Sequence, residues 1–141
     1  MASKVYNGET IRKMTLLFLP HATPHYNWLI EKGHRELIET VEFIKSGKEM
    51  SFQWMINNQH FEMAAFANAV RGDKNAFRWL MQHKSLFWAA TANAANKDKE
   101  AMAWLLSHNF IVYAELAKAI VEWEKFENDD FSGYYKAPTS R

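Results

Sequence analysis

Ala67-Asn68-Ala69-Val70-Arg71-Gly72-Asp73-Lys74-Asn75-Ala76-Phe77-Arg78-Trp79-Leu80-Met81-Gln82-His83 is answered, at an offset of 25, by Ala92-Asn93-Ala94-Ala95-Asn96-Lys97-Asp98-Lys99-Glu100-Ala101-Met102-Ala103-Trp104-Leu105-Leu106-Ser107-His108. Nine positions are identical, among them the Asn68/Asn93, Asp73/Asp98, Trp79/Trp104, Leu80/Leu105 and His83/His108 pairs. Unrelated segments of this length share roughly one or two identities, so the chain carries an internal repeat. Upstream, Phe52, Trp54, Met55 and Ile56 hold the same register, and Trp28, Leu29 and Ile30 follow at an offset of 26.

Each unit reads as two short helices. In the second, Asp73 or Asp98 is a natural N-cap, accepting from free N–H groups of the first turn. Ala76, Trp79, Leu80 and His83 then form one apolar stripe at helical spacing, with Lys74, Asn75, Arg78 and Gln82 opposite. The first helices, 61–70 and 86–95, are apolar on nearly every side and must be covered on most sides. They are the expected inner layer. Gly47 and Gly72, also 25 apart, end helices where a left-handed residue is needed. The expectation is an all-α domain of stacked short helix pairs, α-solenoid-like, with a period of about 25 residues.

Within a single domain spanning 1–141, residues 9–32 are expected to form an N-terminal cap, 33–109 the repeats and 110–127 a capping helix. Pro20 and Pro24 mark the break after a first helix, Glu9 to Leu19. Residues 1–8 and 128–141 are expected to be mobile tails.

Gly72-Asp73-Lys74-Asn75-Ala76-Phe77-Arg78-Trp79-Leu80-Met81 resembles the second half of an ankyrin repeat, where a glycine turn leads into an apolar helix ending in leucines. Ala94 to Leu106 is similar, with Asn96-Lys97 at the turn. The period of 25 is shorter than ankyrin's roughly 33, leaving no room for a projecting β-turn. Met63-Ala64-Ala65-Phe66 stands where the Thr-Pro-Leu-His signature would be. An ankyrin-like stack or another α-hairpin repeat implies protein binding on a concave surface.

Composition narrows the function classes. The net charge is +1 and acidic and basic residues alternate along the chain, unlike the basic stripe of a dedicated nucleic-acid binder. A helical-repeat nucleic-acid binder would use Lys45, Lys48, Arg71, Lys74, Arg78 and Lys99. There is no cysteine, which removes disulfides, thiolate catalysis and cysteine-bearing zinc sites. No run approaches the ~20 apolar residues of a membrane span, and no signal peptide is evident. A cytoplasmic protein is expected.

His83 and His108 fall in equivalent helices, too far apart to share one metal, and are expected to cap the carbonyls of their own helix ends. No metal and no cofactor is expected. Trp28, Trp54, Trp79 and Trp104, with Leu80 and Leu105, are the expected structural core. Each indole offers roughly 150–250 Å² for burial. Asn68 and Asn93 sit inside apolar inner helices, where an amide is unfavourable without partners. They either tie a helix connection or, aligned on one face, grip an extended peptide. Glu31, Glu36, Glu39, Asp98 and Glu100 are expected at caps or on outer faces, and no catalytic constellation is legible. The expected function is a non-enzymatic protein-interaction module docking a partner on its inner-helix face. Self-association through that face into a homodimer is the alternative.

Overall fold

The computed structural model describes the backbone of residues 4–134 and the side chains of residues 4–128. Among the described residues nine helices follow one another: α1 (Gly8–Leu16), α2 (Thr23–Glu31), α3 (Arg35–Ser46), α4 (Glu49–Asn57), α5 (Phe61–Val70), α6 (Lys74–Gln82), α7 (Leu86–Ala95), α8 (Lys99–Ser107) and α9 (Ile111–Tyr134). Among the described residues there is no strand.

The repeat is real at the level of burial, and it begins earlier than expected. The buried inner-helix positions of α5 are Met63, Ala64, Phe66, Ala67, Ala69 and Val70. They recur one repeat later in α7, from Trp88 to Ala95, and one repeat earlier in α3, from Leu37 to Ile44. Ile11, Met14, Leu17 and Phe18 continue the series into α1, and Tyr113, Ala114, Leu116, Ala117 and Ile120 into α9. The described residues therefore hold five inner helices, α1, α3, α5, α7 and α9. Four outer helices, α2, α4, α6 and α8, alternate with them. The expected N-terminal cap is a full unit.

Turn geometry repeats as strictly. A left-handed residue ends each inner-to-outer connection at His21, Gly47, Gly72 and Lys97, and each outer-to-inner one at Gly33, Gln59, Lys84 and Asn109. At the second set, the next residue's N–H reaches back to the last fully buried outer-helix residue. His34, His60, Ser85 and Phe110 bond the carbonyls of Leu29, Met55, Leu80 and Leu105, each at 2.8 Å. This satisfies carbonyls that a helix end otherwise leaves orphaned.

Successive inner helices lie side by side, and α1 packs against α9, so the inner layer closes on itself. Arg12 meets Glu115 at 3.6 Å and Phe18 meets Trp123 edge-on at 6.0 Å across that closure. Inner-helix C-termini are tied to their neighbours by residues in register. Lys45 donates to the Leu17 carbonyl, Arg71 to those of Phe43 and Ile44, and Asn96 to that of Ala69. The inner helices thus bury much of their apolar surface against one another.

Two tail expectations change. Lys4 and Tyr6 are anchored on Glu36, and Gly8 already belongs to α1. At the other end α9 runs on to Tyr134 instead of stopping at Glu127. Residues 1–3 and 135–141 lie outside the described residues.

Candidate functional site

Closing five inner helices into a ring forces the outer helices onto a wider circle. No outer helix packs on the next. Between them the inner helices form the floor of open grooves. One cavity of about 270 Å³ lies between α4 and α6 over α5, bordered by Phe52, Ile56, Phe61, Ala65, Asn68 and Trp79. A second, of about 350 Å³, lies between α6 and α8 over α7, bordered by Phe77, Met81, Leu86, Ala90, Asn93 and Trp104. Each residue of the first has its counterpart in the second at the repeat offset, so this is one groove built twice.

Small side chains explain why these two grooves are open. Ala65 and Ala90 stand where α3 has Glu39 and α9 has Glu115. Asn68 and Asn93 stand where α3 has Glu42 and α9 has Lys118. Around α3 the equivalent space holds larger polar side chains: Arg35 pairs with Glu39 at 3.1 Å and lies over the Trp54 ring at 4.5 Å, and the Tyr26 hydroxyl donates to Glu42 at 3.3 Å.

Asn68 and Asn93 are therefore half-buried on the groove floors. Neither side-chain amide hydrogen-bonds to any described residue. Their backbone carbonyls do serve the fold, accepting from the N–H groups of Asp73 and Asp98 at 3.0 Å. Six of the ten exposed large apolar side chains among the described residues follow the same register. Ile30, Met81 and Leu106 occupy one repeat position, and Phe61, Leu86 and Ile111 another. Met81 and Leu86, at 46% and 45% exposure, face water beside the second groove.

The repeated tryptophans lie at the core's margin. Trp28, Trp54, Trp79 and Trp104 are half-buried, while the residue after each, Leu29, Met55, Leu80 or Leu105, is fully buried. The exposed side of the indole is covered by histidine. Trp79 stacks on His83 at 3.8 Å and Trp104 on His108 at 4.3 Å. The same imidazoles bond the Trp79 and Trp104 carbonyls through Nδ1 at 2.8 and 2.9 Å, as the helix-end reading expected. Asn58 does this for Trp54.

A second polar cluster, missed in the sequence, sits at the N-terminal ends of α3 and α5. Glu36 is buried, not on an outer face. It accepts from Tyr6 at 2.8 Å and Lys4 at 2.9 Å, with His34 Nδ1 at 3.6 Å. Burial pushes its carboxyl up, but those donors and its own backbone N–H outweigh this and hold it below the ordinary range. Burial first, then Glu36, drives the Tyr6 phenol far above its usual value. Glu62, one repeat after Glu36, accepts from Ser85, and burial with Glu62 pushes Tyr113 up to about 12. The signal available was the register itself, since Glu36 and Glu62 share the repeat position of buried Thr10. Tyr6 and Lys4 bond the Glu36 carboxylate and so tie the N-terminal segment to the ring, while the buried His34 Nδ1 beside it makes no hydrogen bond among the described residues.

At the opposite end, a cavity of about 230 Å³ opens among the inner-helix C-termini, bordered by Ile44, Val70, Arg71, Asn96, Trp123 and Glu124. Among the described residues no group of three His, Asp or Glu side chains is placed to hold a metal ion. Nor is any helix there long and apolar enough to cross a membrane. Comparison with protein-family models, curated proteins and solved structures finds no match to the chain.

Proposed function

We propose that the protein is an interaction module that binds an extended polypeptide segment along the two outer grooves. The observation that carries this reading is the pair of side-chain amides, Asn68 and Asn93, each half-buried on the floor of an apolar groove open to solvent and without a hydrogen bond to another described residue. An extended segment can take the place of the water these amides face. Each peptide unit presents one N–H and one C=O, matching the donor and acceptor of one carboxamide. A helical ligand has already used those groups internally. Apolar side chains of the segment fill the space beside Ala65 and Ala90, covering Met81 and Leu86.

Selection from a random peptide display library on the immobilised protein tests the proposal. Selected peptides are expected to shift the Asn68 and Asn93 side-chain amide resonances and to lose roughly threefold to tenfold in affinity on Asn68→Ala or Asn93→Ala. Both variants should keep the melting temperature of the parent. Peptides whose binding ignores these substitutions and an Ala90→Leu groove filler would overturn it. So would concentration-dependent dimerisation abolished by Ala90→Leu, which would make a second copy the occupant.

A further inference from the structure

Resting on that reading, we infer that the bound segment is basic as well as apolar, with a lysine or arginine close to each apolar anchor, and that the groove over α7 takes it in preference to the groove over α5. The argument comes from the side chains that border the grooves themselves. Every charged one is acidic: Asp73 in the first groove, Asp98 and Glu100 in the second. The chain as a whole carries a net charge of +1, so its overall field does not attract a cationic peptide. A preference for one has to arise locally.

The carboxylates stand at one end of each groove. On the floor of the second, Leu86 begins α7 and Asn93 lies near its end. Asp98 is fixed beside Asn93, since its N–H donates to the Asn93 carbonyl at 3.0 Å. Its Oδ1 accepts both capping bonds of α8, which leaves Oδ2 without a partner among the described residues. Glu100 is exposed and forms no ion pair there. Lys97 and Lys99 adjoin Asp98 along the chain, but they border neither groove and pair with neither carboxylate. From Leu86 to Asn93 the helix rises about 10 Å at about 1.5 Å per residue. That is the length of about three extended residues. Side chains two apart in an extended chain share a face. With an apolar side chain set against Met81 and Leu86, the next on that face lies about 7 Å nearer the carboxylates, within reach of a lysine or arginine stem.

The repeat supplies its own comparison. Glu100 stands where the first groove has Asn75, whose side-chain oxygen accepts from Arg78, and Arg78 is itself replaced by Ala103. The first groove thus has one carboxylate with a guanidinium close by. The second has two carboxylates and no cation at the matching position.

The test uses three short synthetic peptides, acetylated and amidated so that their ends are uncharged. Each has a single leucine, flanked two positions away on both sides by lysine, by glutamine or by glutamate. Binding to the full chain is followed by the Asn68 and Asn93 side-chain amide resonances. The lysine peptide should bind tightest, by roughly twofold to fivefold over glutamine at low salt, with glutamate weakest and the margin shrinking as salt is raised. Asn93 should shift at lower lysine-peptide concentration than Asn68. Glu100→Gln should remove that difference while leaving the glutamine peptide's affinity unchanged, and Glu100→Lys should turn the α7 groove toward glutamate. Three peptides that bind alike while shifting the amides would overturn the inference and leave the grooves as the site. So would a lysine advantage that is equal at both amides and indifferent to Glu100→Gln. If none of the three shifts either amide, the groove reading falls and the inference falls with it.

Discussion

Glu36 decides more than its position in the sequence advertises. A carboxylate in the first turn of a helix reads as a solvated N-terminal charge. Here the first turn of α3 faces inward, and Tyr6 and Lys4 close over it. Tyr6→Phe leaves that buried carboxylate one donor short. It is expected to lower unfolding free energy by about 1.5–3 kcal/mol in urea titration. Because the folded carboxyl is held below its ordinary range, its contribution is present above the unfolded carboxylate value. It fades as pH falls through the folded one. Stability profiles of the parent and Glu36→Gln should therefore converge toward acid and separate at neutral pH. Tyr113 works at the other extreme. Pushed up to about 12, it adds stability below the usual phenol range and loses it as pH climbs from about 10 toward 12. Alkaline unfolding should start later in Tyr113→Phe, measured by far-UV circular dichroism. Asn68 and Asn93 were legible because amides inside alanine-rich helices are conspicuous. That they stay open to solvent, without a partner among the described residues, was not, since it depends on how far apart the outer helices stand.

Repetition of elements was the most legible property of this chain, because tryptophan, aspartate and alanine recur with their helical roles attached. Asp73 and Asp98 do cap α6 and α8, accepting from two N–H groups each. The turns were only half legible. Three glycines, Gly33, Gly47 and Gly72, announce left-handed residues, but His21, Gln59, Lys84, Lys97 and Asn109 adopt the same conformation with a side chain attached. Asn109 suits it through its short polar side chain, but nothing in the chemistry of Gln59, Lys84 or Lys97 announces it, and the connection forces them. This gives a paired expectation. Lys84→Gly and Gln59→Gly should raise stability by about 0.5–1 kcal/mol, because glycine relieves the left-handed strain. Gly47→Ala should cost more than Gly33→Ala. Both add strain at positive φ, but a Cβ at Gly47 would also stand 2.8 Å from Arg71 Nη2, while Gly33 has open space around it. Displacing Arg71 releases the Phe43 and Ile44 carbonyls it holds. Thermal melts of the four variants check the order.

Ring closure belongs to the molecule as a whole, and it is what the sequence could not disclose. An internal repeat reports that neighbouring units are alike, but the first and last units share no identities that say they touch. The curvature follows from side-chain bulk. Alanines at Ala67, Ala69, Ala92, Ala94 and Ala117 draw the inner helices together. The outer helices carry Trp54, Trp79 and Trp104 and stay apart. Closure changes how the protein should unfold. An open stack frays from its ends, because each unit touches only its neighbours. With α1 seated on α9, loss of the seam removes support from both ends of the chain at once. Phe18 is buried there against Trp123. Phe18→Ala is expected to cost about 3–5 kcal/mol, the usual penalty for emptying a buried aromatic site. The informative quantity is cooperativity. If the ring is one unit, tryptophan fluorescence and far-UV circular dichroism should still lose signal at a single shared denaturant midpoint, shifted as one. If the chain behaves as an open array, hydrogen exchange in Phe18→Ala would accelerate in α1, α2 and α9 while α5 to α8 kept their protection. That pattern would mean the outer grooves do not depend on closure, and that their width is set by the tryptophans alone.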